Sequence, residues 1–257
     1  MCGRYAATKD TAELVEEFEA VVVEAEDLAP DYNVAPTKKV RLVVDREIDG
    51  VVTRTLEVGR WGLVPSWAKD PSIGSRMINA RAETVASKPA FRSAFAKRRC
   101  LVPADGYYEW YQPSEEGAPV GRGGKPLKQP FYIHPADGSS LAMAGLYEWW
   151  RDPSRSEGDP EAWRLTCTVI TTASSDDLGR IHDRMPMTVA RPDWTAWLDP
   201  AVGSEEATEI LAPAAQVRLD AYPVSTRVNS VRNNGPELVA PLPPSMPGPL
   251  SGSEVPS

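Results

Sequence analysis

Apolar positions in this chain recur mostly at the two-residue period of a strand. β-Branched and aromatic residues gather at 40–44, 51–58, 100–111, 130–134, 140–149 and 164–172, and each run predicts a strand. Helical spacing is rarer. Leu14, Val15, Phe18, Val21 and Val22 recur at that spacing, predicting an amphipathic helix within 10–31 with an acidic, solvated face. Shorter helices are expected at 82–87, 89–96, 176–181, 192–198 and 204–211, several opened by Ser, Asp or Pro at the cap or first turn. Strands dominate, so the expected fold class is α+β: a single domain with an antiparallel barrel-like β-sheet flanked by short helices.

Two stretches interrupt the strand pattern. Residues 112–129 hold four Gly and three Pro, residues 151–160 are polar throughout, and both read as mobile surface loops. From 241 to 257, six of seventeen residues are Pro and no apolar periodicity offsets the entropy of ordering them. That segment reads as a disordered tail outside a domain spanning 2–240. No repeat at a fixed period is apparent.

The 257 residues, 42% hydrophobic, suffice for a packed core and exclude a wholly disordered or fibrous protein. Lys and Arg number 28 against 36 Asp and Glu, a formal charge of −8, so no global positive field draws the chain onto nucleic acid or an anionic membrane. The mean hides an asymmetry. Residues 10–31 carry nine acidic residues and no Lys or Arg, whereas in 76–99 Arg76, Arg81, Lys88, Arg92, Lys97, Arg98 and Arg99 face Glu83 alone, a local +6. A phosphate backbone senses the nearby patch, because exposed charges beyond about 8 Å are screened at physiological salt. The competing reading of that segment is a solvated basic face.

Three cysteines, at 2, 100 and 167, form no CxxC pair, so they frame neither a disulfide scaffold nor a zinc site and fit a reducing, cytoplasmic setting. The first twenty residues lack the basic and apolar regions of a signal peptide, and no apolar stretch reaches the roughly 18 residues of a spanning helix. Cys100 and Cys167 lie in apolar strand runs and read as buried thiols.

Cys2 is different. The chain opens Met1-Cys2-Gly3-Arg4-Tyr5, and a small second residue allows an aminopeptidase to remove Met1, leaving cysteine as the first residue. A terminal cysteine carries an α-amine of reference pKa about 7.7 to 8.0 and a thiol of about 8.5 on adjacent carbons. Aldehydes are the specific partners of such a 1,2-aminothiol. The amine condenses to a Schiff base, the sulfur closes onto the imine carbon, and a five-membered thiazolidine results. On these residues alone the position also fits a small residue tolerated at a frayed terminus, or an amidotransferase whose terminal thiol attacks glutamine. The arginine-histidine-glycine and asparagine-glycine motifs that would accompany an amidotransferase site have no match here.

Four further segments combine reactive residues with turn chemistry: Tyr32-Asn33-Val34-Ala35-Pro36-Thr37, Ile78-Asn79-Ala80-Arg81-Ala82-Glu83-Thr84, Asp105-Gly106-Tyr107-Tyr108-Glu109-Trp110 and Ile181-His182-Asp183-Arg184-Met185-Pro186. With Met1 to Tyr5, and with the run from Val224 to Gly235, the set resembles the SRAP family, the SOS response-associated peptidases or abasic-site processing proteins. The resemblance covers roughly residues 2–240 in order. It implies the SRAP fold and a sensor that shields abasic sites in single-stranded DNA during replication or the DNA damage response, by a covalent bond between the terminal cysteine and the ring-opened sugar aldehyde. It also implies a monomer acting without metal, nucleotide or organic cofactor, with replication-fork proteins as partners.

Carried over residue by residue, Cys2 matches the nucleophile, and Asn79 the asparagine whose amide orients the terminus and the sugar. Glu109 matches the glutamate, and its aromatic-dense strand would raise its pKa toward general acid or base values. His182 matches the histidine that moves protons in forming and reversing the crosslink. Each also has a plain reading: Asn79 as a helix cap, Glu109 as an exposed strand residue paired with an arginine. Arg4 and Arg81 are the foremost phosphate candidates, ahead of Arg98, Arg99 and Arg232. Trp67 would stack on a base or wedge against unpaired DNA, and Asn33 and Pro36 match the loop lining the same groove. Trp110, Trp149, Trp150 and Trp163 read as core, and His134 as an ordinary strand histidine. Asp183 either orients His182 or stabilises the turn, and Arg184 serves either DNA or a structural ion pair. Two other functions stay in contention: a thiol autopeptidase trimming its own terminus, and a noncovalent reader of single-stranded or modified DNA.

Overall fold

The computed structural model describes residues 2–22, 26–112, 124, 127–174, 181–211 and 218–243. Its centre is a ring of five strands: β4 (Lys39–Ile48), β5 (Val51–Trp61), β7 (Arg99–Ala104), β10 (Leu141–Arg151) and β11 (Trp163–Ala173). Four neighbouring pairs are antiparallel: β4 with β5, β4 with β7, β7 with β10, and β10 with β11. The fifth, β5 with β11, is parallel and places Arg60 opposite Thr166 and Trp61 opposite Cys167. The parity of the ring forces this departure from the antiparallel expectation. Strands that alternate in direction cannot close an odd-numbered circle without one parallel joint.

A second sheet runs β13 (Leu219–Pro223), β9 (Gln129–Pro135), β8 (Gly106–Tyr111), β1 (Tyr5–Ala7), β3 (Asp31–Val34). Its Tyr5, Val34, Tyr107 and Ile133 pack with Val40, Leu42, Val44, Trp61, Cys100, Val102, Leu165 and Cys167 from the inner face of the ring. The outer face, with Val43, Leu56, Leu101, Ala144, Leu146 and Ile170, is covered by helices α1 (Thr11–Phe18), α2 (Arg92–Lys97), α3 (Trp194–Leu198) and α4 (Ser204–Leu211). Burial on both faces explains why Leu42, Val43 and Val44 stand as consecutive apolar residues rather than alternating with polar ones. Cys100 and Cys167 are buried, as their setting predicted.

Several element boundaries differ from the sequence reading. The acidic helix spans only Thr11–Phe18, started by an Asp10–Glu13 capping box and stopped where Glu19 turns left-handed at φ 54°. Val21 and Val22 instead form strand β2, parallel to β5, as β-branched residues favour. The run 100–111 is two strands. Asp105 breaks it, its carboxylate accepting from both the backbone N–H and the hydroxyl of Thr8 at 2.7 Å, and the chain there passes from the ring to the second sheet. Residues 82–87 are successive turns rather than a helix, with Thr84 N–H donating to Arg81 and Ser87 N–H to Thr84. The helix expected at 89–96 is Arg92–Lys97, and the one at 192–198 is a tight turn, Arg191–Asp193, leading into α3. The helix expected at 204–211 is α4. Most of 176–181, the interior of 112–129, and 244–257 lie outside the described residues.

Loop 151–160 has an internal frame: Asp152 holds Ser154 and Arg164, and Arg155 meets Asp159 at 2.9 Å. At the other end, Pro241 bridges Val224 and Leu242 N–H donates to Pro223. No helix among the described residues is long and apolar enough to cross a membrane.

Two members of the basic segment are structural. Arg99 is 2% exposed, and its guanidinium donates to the carbonyls of Phe95, Ala96, Trp197, Asp199 and Val202, tying the end of α2 to the end of α3. Arg98 pairs with Glu148 at 2.9 Å. Five backbone acceptors would lose their donor in Arg99→Met, so this substitution is expected to lower unfolding free energy by about 3 kcal/mol or more in urea titration. A loss below about 1 kcal/mol would show the carbonyls to be satisfied without Arg99.

Candidate functional site

The amino-terminal strand runs against β8, pairing Tyr5 with Tyr107 and Ala6 with Gly106, while Tyr108 N–H donates to Arg4. On the other side of β8, Gly106 lets β9 come close, since a Cβ there would sit 2.6 Å from the Ile133 carbonyl and the Tyr132 ring. Tyr107 and Glu109, two apart on β8, share one face of the strand. Cys2 is buried in the same inner cluster as Tyr107 and Trp61.

From the opposite side comes β6 (Asn79–Arg81), which pairs in parallel with β11, Asn79 opposite Val169. It continues along the edge of β11 that β5 occupies at Thr166 and Cys167. Close contact between Gly62, at φ +126°, and Gly74 brings the chain into this line, because a Cβ on either would strike the other's carbonyl. Asn79 Nδ2 then donates to the Cys2 carbonyl at 2.7 Å. That bond orients the amide, since the reverse placement would set two acceptors against each other.

Glu109 is 2% exposed, and His182 Nε2 lies 3.8 Å from its Oε2. Burial, reinforced by Asp183, raises the Glu109 carboxyl to about 7 against the pull of the amino-terminal charge and Lys128. His182 is pushed below its ordinary value by burial and by the amino-terminal charge. Its Nδ1 accepts the Arg184 backbone N–H at 3.0 Å, while Asp183 Oδ1 lies 2.9 Å from the same nitrogen. Nε2 is the ring nitrogen that faces Glu109. Burial and the neighbouring Glu109 push the Cys2 thiol up. The structure therefore brings Cys2, Asn79, Glu109 and His182 together, with a carboxyl poised to take or give a proton near neutral pH.

The residues assigned to DNA fall into two groups. Asn33 is fully buried, and its amide donates to the carbonyls of Ser230 and Asn233 at 3.0 Å and accepts from Arg4 Nη1 at 2.8 Å. Arg4 also donates to the Val228 carbonyl and lies over the Trp110 ring. Both residues thus fasten the amino-terminal strand to 228–233. Arg184 is held by Glu83 and the Thr171 carbonyl. By contrast Arg81 is exposed, two residues from Asn79. Trp67 is 62% exposed on a loop anchored from beneath by Trp150 Nε1 donating to the Ala68 carbonyl. Pro36 leads a tight turn in which Thr37 is left-handed, φ 72°, and donates to the Trp61 carbonyl at 2.8 Å.

Thr37, Arg60 and Arg164 line two adjoining cavities of about 320 and 690 Å³, the larger reaching Trp149. Another cavity, of about 200 Å³ beside Leu14 and Arg41, is rimmed by Lys9, Lys38, Lys39 and Arg41, all paired with acids, and lies apart from the reactive residues. Trp149 and Trp163 are 37% and 53% exposed, unlike buried Trp150, so neither is a core filler. Trp110 is half-buried and donates to Asn229 Oδ1. His134 stacks on Tyr132 in its strand, as expected. Tyr107 was not singled out by its sequence, although two-residue spacing from Glu109 places it on the site's face. Among the described residues no group of three or more His, Cys, Asp or Glu is placed to hold a metal.

Cys2 beside an amide, a carboxyl and an imidazole, on a small strand ring with a second sheet, defines an α+β protein with a candidate reactive site next to its first strand. The SRAP profile, described as SOS response associated peptidase, matches residues 1–231, and the chain belongs to that family. It is 38% identical to the abasic site processing protein YoqW of Bacillus subtilis, over 93% of this chain and 99% of that one. Identity to the abasic site processing protein YedK of Escherichia coli is 30%, over 94% and 100% of the two chains. A crystal structure of a Bacteroides thetaiotaomicron protein superposes with a TM-score of 0.77 at 25% identity, covering 94% of this chain and all of the other.

The raised Glu109 carboxyl has a stability signature. Its folded pKa, about 7, exceeds the ordinary 4.5, so the folded state holds a proton that the unfolded state releases, and stability is lost as pH climbs through that interval. Glu109→Gln removes the titration. Thermal melts from pH 4 to 8 are expected to show the wild type falling relative to the variant across this window, and parallel curves would refute a buried, raised carboxyl.

Proposed function

We propose that this protein processes abasic sites in single-stranded DNA by covalent capture of the sugar aldehyde on Cys2. The observation that carries this reading is the Asn79 amide holding the Cys2 carbonyl beside the Glu109–His182 pair. The names of the relatives, abasic site processing proteins, support it independently.

Once Met1 is removed, the Cys2 α-amine adds to C1 of the ring-opened sugar. The resulting carbinolamine loses water to an imine, with Glu109 protonating the departing hydroxyl. The sulfur then adds to the imine carbon while its proton passes through Glu109 to the nitrogen, closing the thiazolidine. One water is released and no electrons change hands, so the steps balance without metal, nucleotide or organic cofactor. A group with pKa about 7 serves both as donor and as acceptor near neutral pH, which an ordinary carboxylate at 4.5 does not. His182 supplies the adjacent transfer to the sugar oxygen. Arg81, Trp67 and Pro36 are the accessible groups for the flanking strand, whereas Arg4 and Asn33 act by fixing the terminus. The carbonyl that Asn79 polarises belongs to the Cys2–Gly3 bond, so it gives no help to self-cleavage at Met1.

Incubated with an oligonucleotide carrying one abasic site, the processed protein is expected to form an adduct stable in a denaturing gel. Its mass should equal protein plus DNA less one water. Cys2→Ala is expected to form none, and Asn79→Ala to slow capture about 10–100-fold through lost orientation. The wild-type rate is expected to fall above pH 7, and Glu109→Gln to flatten that profile. Absence of any adduct from protein lacking Met1 would overturn the proposal.

A further inference from the structure

Two polar atoms beside Cys2 are left over by the packing. Among the described residues, the Tyr107 hydroxyl and Asn79 Oδ1 are buried and have no hydrogen-bond partner. Tyr107 is 1% exposed and lies on the inner face of β8 next to Glu109 and within the cluster that contains Cys2. An unpaired hydroxyl so deeply placed destabilises the fold relative to phenylalanine by about 1–3 kcal/mol, which is why buried polar groups without partners are rare and call for an explanation. The packing requires only the ring.

The two atoms are complementary. A phenol offers an O–H donor, and an amide oxygen offers an acceptor. A group that reached both beside Cys2 would be an alcohol, whose oxygen accepts from Tyr107 and whose hydrogen donates to Asn79. Burial, with Cys2 and Glu109 nearby, pushes the Tyr107 ionisation up, so the phenol remains a donor at all working pH values.

A ring-opened abasic sugar differs from the closed hemiacetal by two groups, the aldehyde at C1 and a free hydroxyl at C4. We propose that Tyr107, with Asn79 Oδ1, forms a subsite for that C4 hydroxyl, making Tyr107 a positioning residue that selects opened deoxyribose over other aldehydes. This rests on the covalent-capture reading above. By binding the alcohol that ring opening frees, the subsite favours the reactive form of the sugar and holds its C1 toward the Cys2 amine.

The test compares wild type and Tyr107→Phe, both lacking Met1, on two oligonucleotides: one with a natural abasic site, the other with an alkyl aldehyde bearing no neighbouring hydroxyl. Tyr107→Phe is expected to slow capture of the abasic site about tenfold, the worth of one neutral hydrogen bond, and to leave capture of the alkyl aldehyde within about twofold. Its melting temperature is expected to equal or exceed that of the wild type, because an orphaned hydroxyl has been removed. Equal slowing on both substrates, no slowing on either, or a lowered melting temperature would each overturn the subsite while leaving covalent capture intact. Failure of the wild type to capture either aldehyde would overturn both.

Discussion

A ring of five strands cannot alternate throughout, and the single parallel joint between β5 and β11 is where the chain brings Asn79 to Cys2. At that seam β5 leaves the edge of β11 after Cys167, and the chain returns two residues further on as β6, so Asn79 occupies an edge that a regular barrel would have filled. The Gly62–Gly74 contact makes the return tight enough. Asn79 can then reach the carbonyl of Cys2, which the second sheet delivers from the other side through the pairing of β1 with β8. Sheet closure and site assembly are one event. Loosening the seam would separate Cys2 from the amide that holds its carbonyl.

Burial sets the protonation of the site. Glu109 and Tyr107 share a strand face whose surroundings are aromatic and apolar, and desolvation there lifts the carboxyl into the neutral range while keeping the phenol protonated. The same burial raises the Cys2 thiol, which accords with the proposed order in which the amine attacks first and sulfur closes onto the imine. The arrangement suits an aldehyde, which an amine attacks readily, better than an amide, which requires a thiolate at the outset.

Charge is divided between structure and surface in a way the net −8 conceals. Arg99 and Arg98 hold helix ends and a glutamate, and Arg4 and Asn33 stitch the amino-terminal strand to 228–233. What remains open beside Asn79 is Arg81, with Trp67 exposed on its anchored loop. A few cations near Cys2 in an acidic protein give weak retention on bulk nucleic acid, which suits the covalent hold proposed above.

Period and composition were sufficient for the strand-rich α+β class, the six apolar runs and the reactive potential of Cys2, because these depend on local alternation and on the chemistry of one side chain. Ordered motifs pointed to Asn79, Glu109 and His182. Local pattern did not reveal the break at Asp105, the shortening of the acidic helix at Glu19, or the short strands β1, β3, β6, β12 (Arg184–Pro186) and β13. Each is stabilised by partners far along the chain, as Asp105 is by Thr8 and Asn79 by β11. Whether an arginine serves as a staple or a contact, and whether a tyrosine hydroxyl is satisfied, are likewise tertiary properties. They turn on which carbonyls and which apolar walls surround the group, and residues distant in sequence supply those.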